Sequence, residues 1–350
     1  MENYRKIRII GAGPAGLTAA INLAMNNYAV TVYEKNSDVG MRFNNDFQGL
    51  ENWSTEDDVL NLIKTVSIKP DFFCKPFYGG LLYGPSSSAQ IQSDSPFFYL
   101  IKRGKDPDTL DAALKKQALN LGIKIIFNAP MDINDGDIIA TGPKRPRIIA
   151  IGVVFQTNLE DTAIVILDDT VAPKGYAYLL VSDKKATLAT VLFTDFKQGN
   201  QYIEKTILKF RNLVSFEIQN PQKFAGFGNF FIQKSAVESG KLFVGEAAGF
   251  QDFLFGFGIR YAITSGYLAA KSITDGLDYN KLWKNYFGKQ LRASSDNRKL
   301  YDFFGTVLYD NLIKKTGASK DPRGLWLKFY NSSLRDFFAW PKNFIMKGNI

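Results

Sequence analysis

The chain has 350 residues, 45% of them hydrophobic, which is long for one core and predicts a folded protein of two lobes. Its 43 Lys and Arg against 34 Asp and Glu leave a net charge of +9 with no dense basic block, so an anionic cofactor or membrane surface ranks ahead of nucleic acid as the partner. There is no histidine and one cysteine, Cys74, which excludes histidine-based catalysis, histidine or cysteine metal sites and internal disulfides, and leaves demanding chemistry to a bound organic cofactor.

Met1 to Lys6 leads straight into the apolar strand Ile7-Arg8-Ile9-Ile10, with no space for a signal peptide. No apolar run is long enough for a bilayer span, so a cytoplasmic protein is expected, with peripheral membrane contact left open. The strand feeds the turn Gly11-Ala12-Gly13-Pro14-Ala15-Gly16, an alanine-rich helix, and a second strand, Val30-Thr31-Val32-Tyr33, that ends on Glu34. Strand, glycine turn, helix, strand and acid in this order form a dinucleotide fingerprint. Gly11 permits the tight turn, Gly13 clears the approach of a pyrophosphate, and Gly16 lets the helix pack closely on the strand. The helix N-terminus offers unpaired N–H groups to the phosphates, and Glu34 is placed to accept from a ribose diol.

From Glu34 to about Ser95 the sequence reads as an irregular insertion, with the aromatic run Phe72 to Tyr83 as a candidate roof over an apolar pocket. A helix is predicted from about Asp108 to Leu121, followed by strands at 123–127 and 137–142. Closely spaced strands at 149–156, 163–168, 176–181, 187–194 and 213–218, with a helix at 199–211, predict an antiparallel second lobe. Nucleotide character returns at Lys241 to Gly249, before a helix with Ile259, Ala262, Ile263, Gly266, Ala269, Ala270 and Ile273 on its inner face. From Tyr279 the chain reads as helical, with Leu300, Phe303, Phe304, Val307, Leu308 and Leu312 at helical spacing.

The fold expected is α/β: a Rossmann-type lobe with a parallel sheet (1–47, 96–148 and 236–278), an inserted antiparallel-sheet lobe for substrate (48–95 and 149–235), and a helical C-terminal tail (279–350). The segments at 9–34, 138–142 and 242–259 together resemble the flavoprotein superfamily of aromatic hydroxylases and geranylgeranyl reductases, most of all its geranylgeranyl reductase-like branch. Gly245-Glu246-Ala247-Ala248-Gly249-Phe250-Gln251-Asp252-Phe253-Leu254-Phe255-Gly256-Phe257-Gly258-Ile259 is similar, without a gap, to that family's Gly-Asp-Ala-Ala-Gly-x-x-Asp-Pro-x-x-Gly-x-Gly-Ile stretch. Glu246 stands in place of Asp, Phe253 in place of Pro, and no cysteine follows the ribose-binding acid, where Arg42-Phe43-Asn44-Asn45 lies.

The resemblance implies FAD. Gly11, Gly13 and Gly16, with Pro14 and Ala15, would hold its pyrophosphate; Glu34, with Lys35, would hold the adenosine ribose. Arg42, Arg103, Gly142, Gly245 and Glu246 complete the cofactor set, and Gly256, Gly258 and Ile259 would run beside the isoalloxazine. With no second glycine fingerprint, electrons would come from transiently docked NAD(P)H or a ferredoxin-type redox protein.

Several residues keep two readings at this point. Asp252 is a flavin-side proton donor or a loop anchor. Tyr176 and Tyr178 share one strand face and line a substrate pocket with Tyr78 and Phe255, or pack in a sheet. Cys74 is an active-site acid or a small buried hydrophobe. Arg42 meets the cofactor phosphates or solvent, and the aromatic tail Leu325 to Tyr330, with Phe337, Phe338, Trp340 and Phe344, anchors at a membrane interface or docks on the core. The reaction expected is reduction of a carbon–carbon double bond in an apolar, isoprenoid-type substrate, the proton coming from water, a tyrosine such as Tyr176, or a carboxyl group. A flavin hydroxylase and a non-catalytic carrier of prenyl or lipid ligands are the alternatives.

Overall fold

The computed structural model describes residues 6 to 332. Strand β1 (Lys6–Ile10) buries Ile7, Ile9 and Ile10 and passes through the glycine turn into α1 (Pro14–Met25), which leads to β2 (Ala29–Tyr33). Then come β3 (Asp46–Glu51), α2 (Val59–Thr65), β4 (Cys74–Phe77), β5 (Gly79–Tyr83), β6 (Ser88–Gln92) and β7 (Phe98–Arg103). After α3 (Leu110–Asn120), capped by the Thr109 hydroxyl, follow β8 (Lys124–Ile126) and β9 (Ile138–Ile139). The next section holds β10 (Ile148–Gln156), β11 (Thr162–Ile166), β12 (Tyr176–Ser182), β13 (Lys185–Leu192), α4 (Gly199–Leu213) and β14 (Gln219–Gly228). The chain returns through β15 (Val237–Glu238), β16 (Lys241–Phe243) and α5 (Ile259–Asp275), and ends in α6 (Tyr279–Trp283), α7 (Lys289–Phe304), α8 (Thr306–Gly317) and α9 (Pro322–Asn331).

These elements build three sheets. A six-stranded sheet runs β15-β16-β9-β1-β2-β8, parallel except at its β15–β16 edge, which is the doubly wound arrangement the glycine fingerprint predicts. A seven-stranded sheet runs β14-β10-β13-β12-β11-β5-β6, antiparallel except where β5 lies parallel to β11. Helix α4 covers one face of this sheet through Phe210, and the other face is free to wall a cavity. A small antiparallel sheet, β3-β7-β4, lies between the two.

The segment after Glu34 differs from its sequence reading. It contributes four strands and a helix, because the strands are short and carry Gly, Pro and Ser, which erases the alternation that marks a longer strand. The strand expected at 213–218 lies instead at 219–228: β14 is an exposed edge strand whose first five residues, 219–223, are polar or Pro, so no apolar alternation marks its start. The expected helical stripe at 300–312 breaks at Gly305, leaving Phe303 and Val307 about 60% exposed (60% and 61%) while Leu308 and Leu312 are buried. Helix α9 docks on the core, since Trp326, Phe329 and Tyr330 are buried in one cluster with Trp53, Phe97 and Phe255. Phe337, Phe338, Trp340 and Phe344 lie outside the described residues. Among the described residues no helix is long and apolar enough to cross a membrane.

Helices α1 and α5 pack with almost no side chain between them, and a Cβ on Gly266 would overlap the Ala15 carbonyl oxygen. An exposed helical Gly→Ala change normally gains about 1 kcal/mol, but Gly266→Ala is expected to lose about 1–3 kcal/mol by forcing the two backbones apart. Chemical denaturation of the variant against the parent protein measures the sign.

Candidate functional site

Three glycines of the first turn do different work. Gly11 has φ +105°, and a Cβ there would overlap the Ala140 carbonyl; a Cβ on Gly16 would overlap the Gly11 carbonyl. Both positions serve close packing of strand and helix. Gly13 is the opposite case: a Cβ would meet nothing within 4 Å, yet the residue lines the main cavity. Room is kept there for something other than protein. Helix α1 begins at this point with Pro14 at its first turn and no side-chain cap, so its N-terminal N–H groups are free to meet an anion.

Glu34 holds the turn in place. Its Oε2 accepts the Ala12 N–H at 2.9 Å and its Oε1 accepts from the Asn36 backbone at 3.0 Å and side chain at 2.7 Å. Gly11, Gly16, Glu34 and the exposed Lys35 stand behind the main cavity and do not line it, whereas Gly13, Pro14, Ala15, Arg42, Arg103 and Gly142 do.

A second helix N-terminus faces the same space. The segment Gly245 to Ile259 bends around the cavity, to which Gly245, Glu246, Phe255, Gly256, Phe257, Gly258 and Ile259 contribute. The Gly245 N–H donates to Ser265 Oγ at 2.9 Å, and α5 starts at Gly258 without a side-chain cap. Two uncapped helix starts thus converge on one cleft, a favourable setting for a diphosphate and for negative charge on a reduced ring. At the mouth, Arg42 donates to Glu246 at 3.0 Å and to the Phe227 carbonyl at 2.6 Å. Arg103 makes a two-pronged ion pair with Asp111 (2.8 and 2.9 Å) and stacks on Phe43 at 4.2 Å.

The cavity, about 360 Å³ in all, continues between the seven-stranded sheet and the small sheet. Tyr176, Tyr178 and Leu180 of β12 face Trp53, Phe97, Phe98, Phe255, Phe257 and Trp326, so its inner end is aromatic and apolar. Tyr176 donates its hydroxyl to the Phe255 carbonyl at 2.9 Å, and burial pushes both tyrosines to less acidic values. Tyr78 is placed otherwise than the sequence suggested: it is 43% exposed and does not line the cavity, since it occupies the single-residue step between β4 and β5.

Asp252 is fully buried outside the cavity lining. Its carboxylate accepts the Leu254 and Phe255 N–H groups at 3.2 and 2.7 Å and the Tyr330 hydroxyl at 3.4 Å, so it anchors the loop that carries Phe255 to Gly258. Burial raises its pKa. Cys74 packs beside the core, and burial, reinforced by Asp58, pushes its thiol up to about 12, so it is no thiolate at neutral pH.

Sequence reasoning missed Asp46, Gln48, Trp53, Phe97, Phe98 and Trp326 as cavity residues. They come from four separate stretches with no shared motif, and only the small sheet and α9 bring them together. Also missed was the buried pair of Glu51 and Arg260, at 3.1 Å, which ties β3 to the start of α5. Among the described residues no group of His, Cys, Asp and Glu could hold a metal.

The family model of an NAD(P)-binding Rossmann-like domain matches residues 9–55. No curated protein matches the sequence. A solved geranylgeranyl bacteriochlorophyll reductase-like protein from Thermoplasma acidophilum superposes with a TM-score of 0.71 at 17% identity, over 91% of this chain and 94% of that one. The fold is that of the FAD-dependent oxidoreductases. A flavoprotein/dehydrogenase from Cytophaga hutchinsonii (TM-score 0.58, 16% identity, 97% and 94% of the two chains) and a flavin-dependent brominase (0.59, 16%, 92% and 97%) share it. The chain's residues fit such a cofactor: Gly13 leaves a space that a Cβ would enter, α1 and α5 offer free N–H groups around it, and Arg42 and Arg103 lie on the wall.

Gly13 has extended backbone (φ −80°, ψ 178°) that a side chain can adopt. Gly13→Val should therefore fold with the melting temperature of the flavin-free parent and emerge colourless, whereas flavin absorbance is expected of the parent protein; a yellow Gly13→Val protein would contradict the assignment of that space. A pH effect follows from Asp252, whose folded-state pKa lies above its ordinary value. The folded form favours the proton, so stability is full below the unfolded pKa and declines as pH rises through the folded one. As pH rises above about 4, the ordinary aspartate value, the melting temperature should fall, and it should fall less in Asp252→Asn, as calorimetry across a pH series would register.

Proposed function

We propose that the protein is an FAD-dependent oxidoreductase that reduces a carbon–carbon double bond of an apolar, isoprenoid-type substrate. The observation that carries this reading is one continuous cavity that begins at the α1 N-terminus, among groups suited to a diphosphate, and ends in an aromatic chamber. Held there in its reduced form, the flavin of FAD would supply a hydride to a carbon placed against its ring. The residues of the chain do the rest. Gly13 and the two helix starts seat the anionic part, Arg42 and Arg103 offset its charge, and Trp53, Phe97, Phe255 and Trp326 exclude water from the inner end.

The reductase-like protein from Thermoplasma acidophilum, covered almost end to end, supports this choice of reaction. The inner end is walled mainly by aromatic and aliphatic side chains, Trp53, Phe97, Phe255, Phe257 and Trp326 among them, which favours a long hydrocarbon over an aromatic acid. A flavin monooxygenase is the second reading, favoured by the fold shared with a brominase and with 2-methyl-3-hydroxypyridine-5-carboxylic acid oxygenase. We assign the electrons to NAD(P)H docked transiently or to a ferredoxin-type protein.

An absorption spectrum of the purified protein comes first, and flavin bands are expected. The flavin is then reduced under nitrogen and mixed with geranylgeraniol as probe: a reductase reoxidises and yields a product two mass units heavier, by the hydride and proton added. No reoxidation with geranylgeraniol, together with substrate-dependent oxygen uptake from NAD(P)H, would transfer the assignment to the monooxygenase; protein that stays colourless with added FAD would transfer it to a lipid carrier.

A further inference from the structure

Reduction of a double bond needs a proton as well as a hydride, and this chain has no histidine to provide one. Tyr176 and Asp252, the donors that sequence suggested, are both poorly placed. The Tyr176 hydroxyl is committed to the Phe255 carbonyl, and a buried phenol is a weak acid. Asp252 is enclosed by its own loop and does not reach the cavity.

Among the described residues only two carboxyl groups line the cavity, Asp46 and Glu246. Glu246 is paired with Arg42 at the mouth. Asp46 is 1% exposed, opens β3, and lies across the strand pair from Arg103. Its Oδ1 accepts the Asn44 N–H at 3.0 Å and its Oδ2 accepts from Gln48 Nε2 at 2.9 Å, an arrangement that fixes the carboxyl without using its remaining lone pairs. Gln48, also on the cavity wall, is two residues along the strand and therefore on the same face. Tyr178 is the titratable group of the opposing sheet that faces Asp46. Arg103, itself held by Asp111, is the cation opposite it in the β3–β7 register.

We propose that Asp46 is the proton donor of the site, a role that rests on the reductase reading. As hydride leaves the reduced flavin for one carbon of the double bond, the Asp46 O–H bond breaks and its proton joins the neighbouring carbon. The π bond is replaced by two C–H bonds, the flavin is left oxidised, and Asp46 is left as carboxylate. Solvent entering past Arg42 restores the proton, and the nicotinamide or iron–sulfur donor restores the flavin. Desolvation supports the assignment, since it lifts the Asp46 pKa above the ordinary carboxylate range against the pull of Gln48, Asn44 and Arg103. Placement of an acid on the wall with a tuned pKa is what proton transfer requires.

Asp46→Asn and Asp46→Glu test the inference by two independent readouts. In anaerobic single turnover with geranylgeraniol, reoxidation of the reduced flavin should slow by roughly a hundredfold or more in Asp46→Asn, with flavin content and oxidised spectrum retained, and recover in part in Asp46→Glu. The parent rate should decline as pH rises past the pKa of Asp46, and the Asn variant should lose that dependence. Equal rates and equal pH profiles in parent and Asn variant would overturn the proposal. The second readout is the infrared band of a protonated carboxyl in the parent minus Asp46→Asn difference spectrum. If geranylgeraniol does not reoxidise the parent, the reductase reading is the part that fails, and the infrared spectrum then decides on Asp46. A band that titrates above the ordinary aspartate range supports an acid poised to give a proton, and its absence overturns it.

Discussion

The structure depends on a near-contact of backbones. At the N-terminal end of α1, the Gly11 turn presses on the Ala140 carbonyl, Gly16 lies on the Gly11 carbonyl, and Gly266 of α5 rests on Ala15. Three segments far apart in sequence are brought together with no side chains between them. The arrangement sets the positions of two helix starts, and those starts are what an anion in the cleft would meet. A glycine at each point is thus a requirement of packing density rather than of flexibility. Gly13 differs from these three: a Cβ there would meet no protein atom within 4 Å and would stand in the cavity.

The second determinant is how charge is handled in a protein without histidine. Buried carboxylates meet either a guanidinium, as in Asp111 with Arg103 and Glu51 with Arg260, or backbone N–H groups, as in Asp252. The pairs join elements that share no sequence: Glu51 ends β3 and Arg260 opens α5. Removing one partner of such a pair would leave a stranded charge, which costs about 3–5 kcal/mol. These pairs therefore hold the small sheet to the nucleotide lobe and fix the cavity between them.

Much of the nucleotide half was legible from residues alone. The strand, glycine turn, helix and acid appear where the fingerprint puts them, and Gly245 to Ile259 curves around the cleft as its likeness to flavoproteins implied. That half is readable because its glycines are needed locally, at fixed spacing. The aromatic chamber was much less so. Trp53, Phe97, Phe255 and Trp326 reach one another through tertiary packing, and nothing in the neighbours of any one of them reveals the others. Tyr78 shows the converse error, an aromatic in a suggestive run that the short step from β4 to β5 turns outward. The edge strand β14 opens on Gln, Asn, Pro, Gln and Lys, so its first half carried no apolar alternation, because one of its sides has no partner strand.

The parallel union of β5 with β11 has a consequence for how the chain is made. The hairpin β5–β6 precedes β10 to β14 by a long stretch that belongs to other sheets, yet it closes the same seven-stranded layer. Neither half of the molecule is therefore a contiguous piece of polypeptide, and no single cut would yield a self-sufficient fragment. During synthesis the early hairpin must wait, exposed, until residues beyond 160 leave the ribosome, and the nucleotide layer waits longer still for β16. Such interlacing favours slow, late folding, and it leaves strand edges and apolar faces uncovered while the polypeptide is incomplete.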